Sequence, residues 1–343
     1  MFLIQNNCFF ANPKLNTTNK NKALSIKTNN IKLADSFEYS NLDLKPLSPK
    51  PISFGSDKLR FRSDKDKKYI QTLANKLKTN SKNLDSVMGV DELKTLLSSS
   101  ALTPENFLPG EKDQNLLSGK FKINLHLHTV NSDGKMTPQK VLDQAADYSA
   151  KYRKNKPVYV AISDHNTING SAEALKIISQ NPKKYKNIKF IPSVEIAGAY
   201  KVSSDNSVSK FELLAYGINP FDEKLENFLS KKKTSAPSIG EIFQKLQNSN
   251  TFLSLAHPAR TSIKTVDEYK NFLNKLNANG LKGIEYYYSY DETKQKANES
   301  YKLLAENFAN SLGLIKTGGR DCHENNIFHR KDKQFFENFD KKL

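Results

Sequence analysis

The sequence is short of cysteine, of long apolar runs and of negative charge. Only two cysteines, Cys8 and Cys322, occur in 343 residues, so no disulfide framework holds the fold and a reducing compartment is expected. No apolar run approaches the roughly 20 residues that a membrane span needs. The N-terminus lacks the basic region of a secretory signal. These absences predict a cytoplasmic protein with no membrane partner.

The shortage of acidic residues leaves a net charge of +17, from 53 basic and 36 acidic side chains. This excess is spread along the chain, so a lysine-rich solvated surface explains it better than one dedicated anionic partner. Hydrophobic residues make up 37% of the chain, which is low for a globular protein. The low fraction indicates that part of the chain buries nothing.

Three segments of the chain differ in pattern. Residues 1–60 are rich in Asn, Lys, Ser and Thr without any helical or alternating period, which predicts a disordered extension. Residues 61–110 carry apolar positions at helical spacing over 64–80 and 85–98, which predicts two accessory helices. The remaining segment, 118–328, is predicted to form the functional domain.

Short apolar runs alternate with longer helical patterns in this third segment. The predicted strands cover residues 122–127, 158–163, 189–194, 211–216, 252–256, 283–286 and 314–317. The predicted helices cover residues 138–152, 171–180, 239–247, 266–278 and 293–311. Such alternation favours an α/β fold with a largely parallel sheet. In folds of this kind, functional groups gather at the carboxyl ends of the strands.

Five of the six histidines stand just past predicted strands, together with several carboxylates. The candidate metal ligands are His126, His128, Asp133, His165, Glu195, His257, Asp321 and His323. Residues i and i+2 of a strand point to the same side, so His126 and His128 can converge on one ion. Mixed imidazole and carboxylate ligands suit Mn, Zn, Fe or Co, and eight of them indicate two or three divalent ions. His329 is expected to be a surface residue, and Cys322 to be structural.

Six stretches of the chain resemble, in the same order, the PHP (polymerase and histidinol phosphatase) family of metal-dependent phosphoesterases. They are NLHLHTVNSDGKMTP, VAISDHNT, FIPSVEI, LSLAHPAR, GIEYY and KTGGRDCH, all within residues 122–323. The resemblance implies a distorted (β/α)7 barrel. It also implies hydrolysis of a phosphoester by metal-bound hydroxide.

The resemblance further implies how the ligands divide among the metals. His126, His128, Glu195 and Asp321 would hold the first metal, Glu195 and His257 the second with Glu195 bridging, and Asp133, His165 and His323 the third. Asp164 would orient a neighbouring imidazole and, with His165, assist proton transfer.

Two positions depart from the family pattern. Leu214 stands where relatives usually carry a histidine ligand of the second metal. The sequence therefore does not determine whether a second metal binds. Glu212, two residues earlier on the same strand face, either replaces the histidine as a ligand or is a surface residue. Arg320 stands where relatives commonly have Ser. Arg320 and Arg260 either bind a substrate phosphate through their guanidinium groups or form surface salt bridges.

Three functions remain open from the sequence. The leading one is a phosphatase or nuclease-like hydrolase, whose substrate would be a nucleoside 3′,5′-bisphosphate, another phosphorylated small molecule or a short oligonucleotide. The second is a non-catalytic, partly degraded PHP module that binds nucleic acid or acts as a scaffold. The third is a metal-dependent amidohydrolase, which normally has a metal-bridging lysine on a middle strand, and no lysine stands at a predicted strand end here. The pattern leaves the oligomeric state undetermined.

Overall fold

A computed structural model of the chain describes residues 62–109, 114–231, 236–247, 250–290 and 299–328. All of them belong to one compact unit, Leu59–Leu343. The predicted disordered extension and His329 lie outside the described residues. The division of the chain into three segments therefore stays a prediction.

Seven strands form one sheet and follow each other in chain order. They are β1 (Ile123–Leu127), β2 (Val158–Ile162), β3 (Ile188–Lys201), β4 (Val208–Tyr216), β5 (Phe252–Leu255), β6 (Gly283–Tyr287) and β7 (Ile315–Gly318). Strands β1, β2 and β3 pair in parallel, as do β5, β6 and β7, whereas β4 is antiparallel to both of its neighbours. The predicted α/β fold with a largely parallel sheet is confirmed.

Strands β3 and β4 run longer than the sequence predicts because they form one extended hairpin. Their pairing continues from Ser193 opposite Tyr216 to Lys201 opposite Val208. This hairpin replaces the helical crossover found between the parallel neighbours, and it explains why β4 runs in the opposite direction. It also carries Glu195 and Glu212 toward the same end of the sheet.

The first and last strands approach each other at their carboxyl ends. Leu127 forms a parallel bridge with Cys322, just past β7. The backbone N–H of His128 donates to the carbonyl of Cys322 at 3.0 Å, and the N–H of Cys322 donates to the carbonyl of His126 at 3.4 Å. Cys322 is buried, in line with its predicted structural role. These bonds place the histidines that end β1 beside the residues that follow β7.

The α-helices in the described ranges are α1 (Asp64–Leu77), α2 (Val90–Leu97), α3 (Gln114–Leu117), α4 (Pro138–Tyr152), α5 (Asn169–Gln180), α6 (Glu223–Lys231), α7 (Ile239–Leu246), α8 (Val266–Ala278) and α9 (Glu299–Leu312). Seven of these nine lie where the apolar spacing predicts a helix. The sequence did not predict the short helices α3 and α6. No helix in the described ranges combines the length and the apolar character that crossing a membrane requires.

The two accessory helices share the core of the sheet. Ile70 and Leu73 of α1 are buried in one cluster with side chains of β2 and β3. The buried carboxylate of Asp66 accepts hydrogen bonds from the first N–H groups of α2, at 3.2 Å from Asp91 and 2.8 Å from Glu92. Because free N–H groups at a helix start need acceptors, Asp66 joins the two helices.

Candidate metal centre

Four buried side chains meet where β1 and β7 end, beside the middle of β3, because the hairpin continues β3 past Glu195 to Lys201. The Nε2 atom of His126 lies 3.1 Å from Oε2 of Glu195 and 3.4 Å from Oδ1 of Asp321. The Nε2 atom of His128 lies 3.3 Å and 3.1 Å from the same two oxygens. These four residues are the group that the family resemblance implies for the first metal, and their ligand atoms lie close enough together to hold one ion.

Three ligand atoms of this first group lie within ion-pair distance of one another but make no hydrogen bond in the described part of the chain. His126 Nε2, His128 Nε2 and Glu195 Oε2 are buried and make no hydrogen bond with any described residue. Leaving a buried polar atom unpaired costs about 1–3 kcal/mol, so native proteins seldom tolerate several at one point. A divalent cation satisfies all three atoms at once, since imidazole nitrogen and carboxylate oxygen are its usual ligands. The residues present therefore fit a metal ion.

A second group forms around the other oxygen of Glu195. His257 Nε2 lies 3.1 Å from Oε1 of Glu195 and 3.2 Å from Oε2 of Glu212, and His165 Nδ1 lies 3.6 Å from Oε1 of Glu212. Glu195, Glu212 and His165 lie close enough together to hold an ion. Of the two readings that the sequence left open for Glu212, the structure favours the ligand. Leu214 is buried in an apolar cluster instead.

A third group lies at the more exposed side of the centre. His323 Nε2 is 3.3 Å from Oδ1 of Asp133, and His165 Nε2 is 3.7 Å from Oδ2 of the same carboxylate. His128 joins them through Nδ1, 3.7 Å from Asp133. The structure therefore brings together the three residues that the family resemblance implies for the third metal. The Asp133 side chain is 57% exposed, so this group faces solvent.

Glu285 of β6 is a residue of the centre that the sequence did not assign. Its carboxylate is buried, with Oε1 3.0 Å from Nδ1 of His126 and Oε2 accepting the backbone N–H of His257 at 2.8 Å. A carboxylate on the far nitrogen of a ligand histidine fixes the ring and leaves Nε2 with its lone pair free. The sequence feature that could have identified Glu285 is the presence of a glutamate inside the apolar strand sequence GIEYY.

Asp164 does not hold an imidazole in the way that the resemblance implies. Its carboxylate accepts hydrogen bonds from the N–H and the hydroxyl of Thr129, at 2.6 and 2.7 Å, and from the hydroxyl of Ser132 at 2.7 Å. None of its described hydrogen bonds reaches the ring of His165. Asp164 thus anchors the loop after β1, which contains Asp133. Its direct catalytic role stays a prediction.

The two candidate phosphate-binding arginines lie in different surroundings. The Nη1 atom of Arg260 lies 3.1 Å from Oδ2 of Asp321 and donates to the hydroxyl of Tyr288 at 3.1 Å, and the Arg260 side chain is 30% exposed. Arg320 is buried, and its Nε donates to the carbonyl of Phe328 at 3.1 Å. The structure therefore places Arg260 at the centre. The phosphate-binding role of Arg320 stays a prediction.

Backbone constraints fix the ends of the strands around the ligands. His257 and Asp321 both adopt a positive φ, 25° and 47°, which costs non-glycine residues about 1–3 kcal/mol and is concentrated at functional sites. A Cβ on Gly319 would lie 2.6 Å from the backbone nitrogen of His126. The glycine therefore lets the chain after β7 pass directly beside β1.

The charges of the carboxylates raise the pKa values of the ligand histidines. Burial disfavours the charged imidazolium of His128, yet its contacts with Asp321 and Glu195 outweigh burial and raise its pKa to about 9. For His257, burial is likewise outweighed, by Glu195 and Glu212, and the pKa is again about 9. In the metal-free protein, protons therefore occupy these rings at neutral pH. A cation would take the place of the protons.

The same pairing lowers the pKa values of the carboxylates. Burial opposes ionisation of Asp133, but the neighbouring rings of His323 and His165 hold its pKa at about 2. Burial also opposes ionisation of Glu195, and the contact with His126 holds the pKa of that carboxyl well below its usual range. Both oxygens of each group are thus available as anionic ligands at any physiological pH.

No protein-family model and no curated protein matches the sequence. An amidohydrolase from Chromobacterium violaceum, solved with bound sulfate and no metal, is similar, with 16% identity and a TM-score of 0.47 over 64% of this chain and 96% of its own. A candidate metal-dependent phosphoesterase from Bifidobacterium adolescentis is similar too, with 18% identity and a TM-score of 0.45 over 62% of this chain and 90% of its own. More than a third of this chain lies outside each match.

Proposed function

We propose that the protein is a metal-dependent phosphoesterase of the PHP type, built on a closed (β/α)7 barrel. Its substrate would be a phosphorylated small molecule, such as a nucleoside 3′,5′-bisphosphate, or a short oligonucleotide. The observation that carries the proposal is the convergence of three buried ligand atoms that make no hydrogen bond within the described ranges, from His126, His128 and Glu195. Two or three divalent ions held there would polarise a phosphoryl oxygen and lower the pKa of a water molecule.

The protein's own side chains supply the remaining parts of such a site. Arg260 reaches the centre from the loop after β5, and one nitrogen of its guanidinium contacts Asp321 and Tyr288. The other nitrogens leave donors for the oxygens of a substrate phosphate, which guanidinium matches bidentately. Thr129 and Ser132, held by Asp164, keep the loop that contains Asp133 beside the third group.

The non-catalytic alternative rested on Leu214, on the net charge of +17 and on the basic N-terminal extension. Of these, Leu214 concerns the second metal site. Glu212 supplies a carboxylate at 3.2 Å from His257 Nε2, so this group keeps three ligand-type residues. The amidohydrolase alternative requires a bridging lysine. Within the described ranges, no lysine pairs with Glu195 or Glu212. The geometry therefore favours the phosphoesterase.

The experiment is a metal and substrate screen of the purified full chain. Bound metal is measured first, and phosphate release is then followed with nucleoside bisphosphates, short oligonucleotides and histidinol phosphate in the presence of Mn or Zn. We expect bound divalent metal and turnover of at least one phosphoester. A protein that neither binds metal nor cleaves any phosphoester would contradict the proposal, and cleavage of an amide substrate instead would favour the amidohydrolase.

Two histidine variants provide the matched comparison. His128→Ala removes a ligand shared by two of the groups, and we expect it to reduce activity by at least about 100-fold. His329→Ala removes the histidine that the sequence leaves outside the set, and it should keep the activity of the wild type. Equal activity of both variants would mean that the ligand assignment is wrong.

A further inference from the structure

A cavity of about 980 Å³ opens on a part of the molecule away from the candidate metal centre. It lies between the accessory helices and the start of β3, where Lys189 is one of its lining residues. Lys189 and Glu195 are both on β3, six residues apart, which corresponds to roughly 20 Å along an extended strand. The cavity is therefore separate from the metal centre.

The lining of this cavity is strongly basic. Six cationic side chains and a single carboxylate, Asp85, contribute to it. The cations are Arg62, Lys67, Lys82, Lys183, Lys186 and Lys189. Cationic groups that line one cavity create a positive potential in it, which favours the entry of an anion.

Two of the cationic side chains already donate hydrogen bonds to backbone carbonyls in the wall of the cavity. Arg62 donates to the carbonyls of Asp85 and Val87, at 2.9 and 2.8 Å, and the buried Lys189 donates to the carbonyl of Asp85 at 2.5 Å. These bonds fix the segment between the accessory helices against β3. Arg62 also lies 3.7 Å from a carboxylate oxygen of Asp85 and 3.8 Å from one of Glu92. The ammonium group of Lys189 therefore supplies most of the fixed positive charge of the wall.

The other lysines leave ammonium groups available to a ligand. Lys82, Lys183 and Lys186 are exposed, and none of them has an ion-pair partner in the described part of the chain. Lys67 pairs with Asp64 at 2.9 Å on the surface. Three unpaired ammonium groups around one cavity match an anion of several charges better than a single carboxylate.

We propose that this cavity binds a ligand with two or more clustered phosphate groups, held by Lys82, Lys183 and Lys186. None of the described lining residues is aromatic, so no ring is present there on which a nucleobase could stack. The lysines would therefore recognise the ligand through its phosphate groups. The same chemistry can come from a small polyphosphate or from consecutive phosphates of a nucleic-acid strand. The experiment separates these two sources.

Binding of inorganic triphosphate to the full chain is measured by calorimetry in the presence of a chelator, so that the metal centre holds no ion. The test variant is K82Q/K183Q/K186Q. The control is K140Q/K210Q/K224Q, which removes three exposed lysines outside the cavity lining. We expect the test variant to lose at least about tenfold in affinity, and the control to stay within about twofold. Added KCl should weaken binding to the wild type.

The outcomes distinguish binding at this cavity from non-specific binding by the net positive charge. They also test this proposal independently of the proposed hydrolytic function. An equal loss in both triple variants, no binding by the wild type, or orthophosphate binding as tightly as triphosphate would overturn the proposal. A short single-stranded oligonucleotide that displaces triphosphate from the wild type identifies nucleic acid as the source, and failure to displace it identifies a small polyphosphate. His128→Ala should bind triphosphate as the wild type does, whatever its hydrolytic activity.

Discussion

At the scale of single residues, the carboxylate of Glu285 contacts two candidate metal ligands at once. One oxygen contacts Nδ1 of His126 and the other accepts the N–H of His257. It thereby orients a ring on β1 and the backbone after β5 from a third strand. A buried carboxylate in that position raises the basicity of the ligand imidazole.

We expect Glu285→Gln to weaken metal binding by about 10–100-fold, because the amide keeps the size of the side chain but loses its charge. Titration of the metal-free protein with Zn or Mn measures this change. Glu223→Gln, on the exposed start of α6, is the matched control and should bind as the wild type does. Unchanged affinity in Glu285→Gln would show that Glu285 does not support His126.

The proton affinities of the histidines predict the pH dependence of metal binding. His128 and His257 have pKa values of about 9 in the metal-free protein, and each must lose its proton to bind a cation. Below pH 9 the proton competes, so we expect the metal affinity to fall as the pH falls from 9 to 6. Calorimetry in buffers of different ionisation enthalpy should also detect proton release on binding. An affinity that is constant over this range would contradict the raised pKa values.

At the scale of elements, the centre depends on how closely β7 approaches β1. Gly319 follows β7 and faces the backbone of His126 without a side chain between them. The bridge between Leu127 and Cys322 continues this approach. Any group inserted there separates the ligands of β1 from Asp321.

We expect Gly319→Ala to lower the free energy of unfolding by about 1–3 kcal/mol and to weaken metal binding, because its Cβ would overlap backbone atoms of His126. Urea unfolding and metal titration measure the two effects. Gly240→Ala is the matched control: nothing lies within 4 Å of the added Cβ in α7, and the stability should stay the same or rise. Equal effects of the two substitutions would contradict the close packing of β7 on β1.

Much of the element pattern could be predicted from local sequence. Each of the seven strands lies where an apolar run predicted it. The helix α4 begins at Pro138 after a Thr137 cap whose side chain accepts the N–H of Lys140, as the Thr-Pro pair predicts. The length of β3 and β4 could not be predicted, because hairpin pairing and not apolar spacing extends them.

At the scale of the whole molecule, the centre concentrates buried charge. Glu195 and Asp321 meet the imidazoles of His126 and His128 away from water. Buried charges destabilise a fold unless they are paired or bind a metal. A cation bound only by the folded state would stabilise the whole unit.

We expect a chelator to lower the melting temperature by roughly 5–10 °C. Saturation at 100 times the dissociation constant contributes about 2.7 kcal/mol, and each kcal/mol corresponds to roughly 2–4 °C in a domain of this size. Calorimetric scans with and without chelator measure the shift, and added Mn or Zn should reverse it. His128→Ala should show a smaller shift, and a wild type indifferent to chelation would contradict a stabilising metal.

The sequence by itself determined the order of the elements and predicted eight metal ligands, because strand ends and the two-residue period of a strand are local properties. Only the tertiary structure decided that Glu212 lies against His257, that Glu285 joins two ligands, and that Arg320 is buried while Arg260 faces the centre. These outcomes depend on strand register and on packing between residues far apart in sequence. Local spacing carries no information about either.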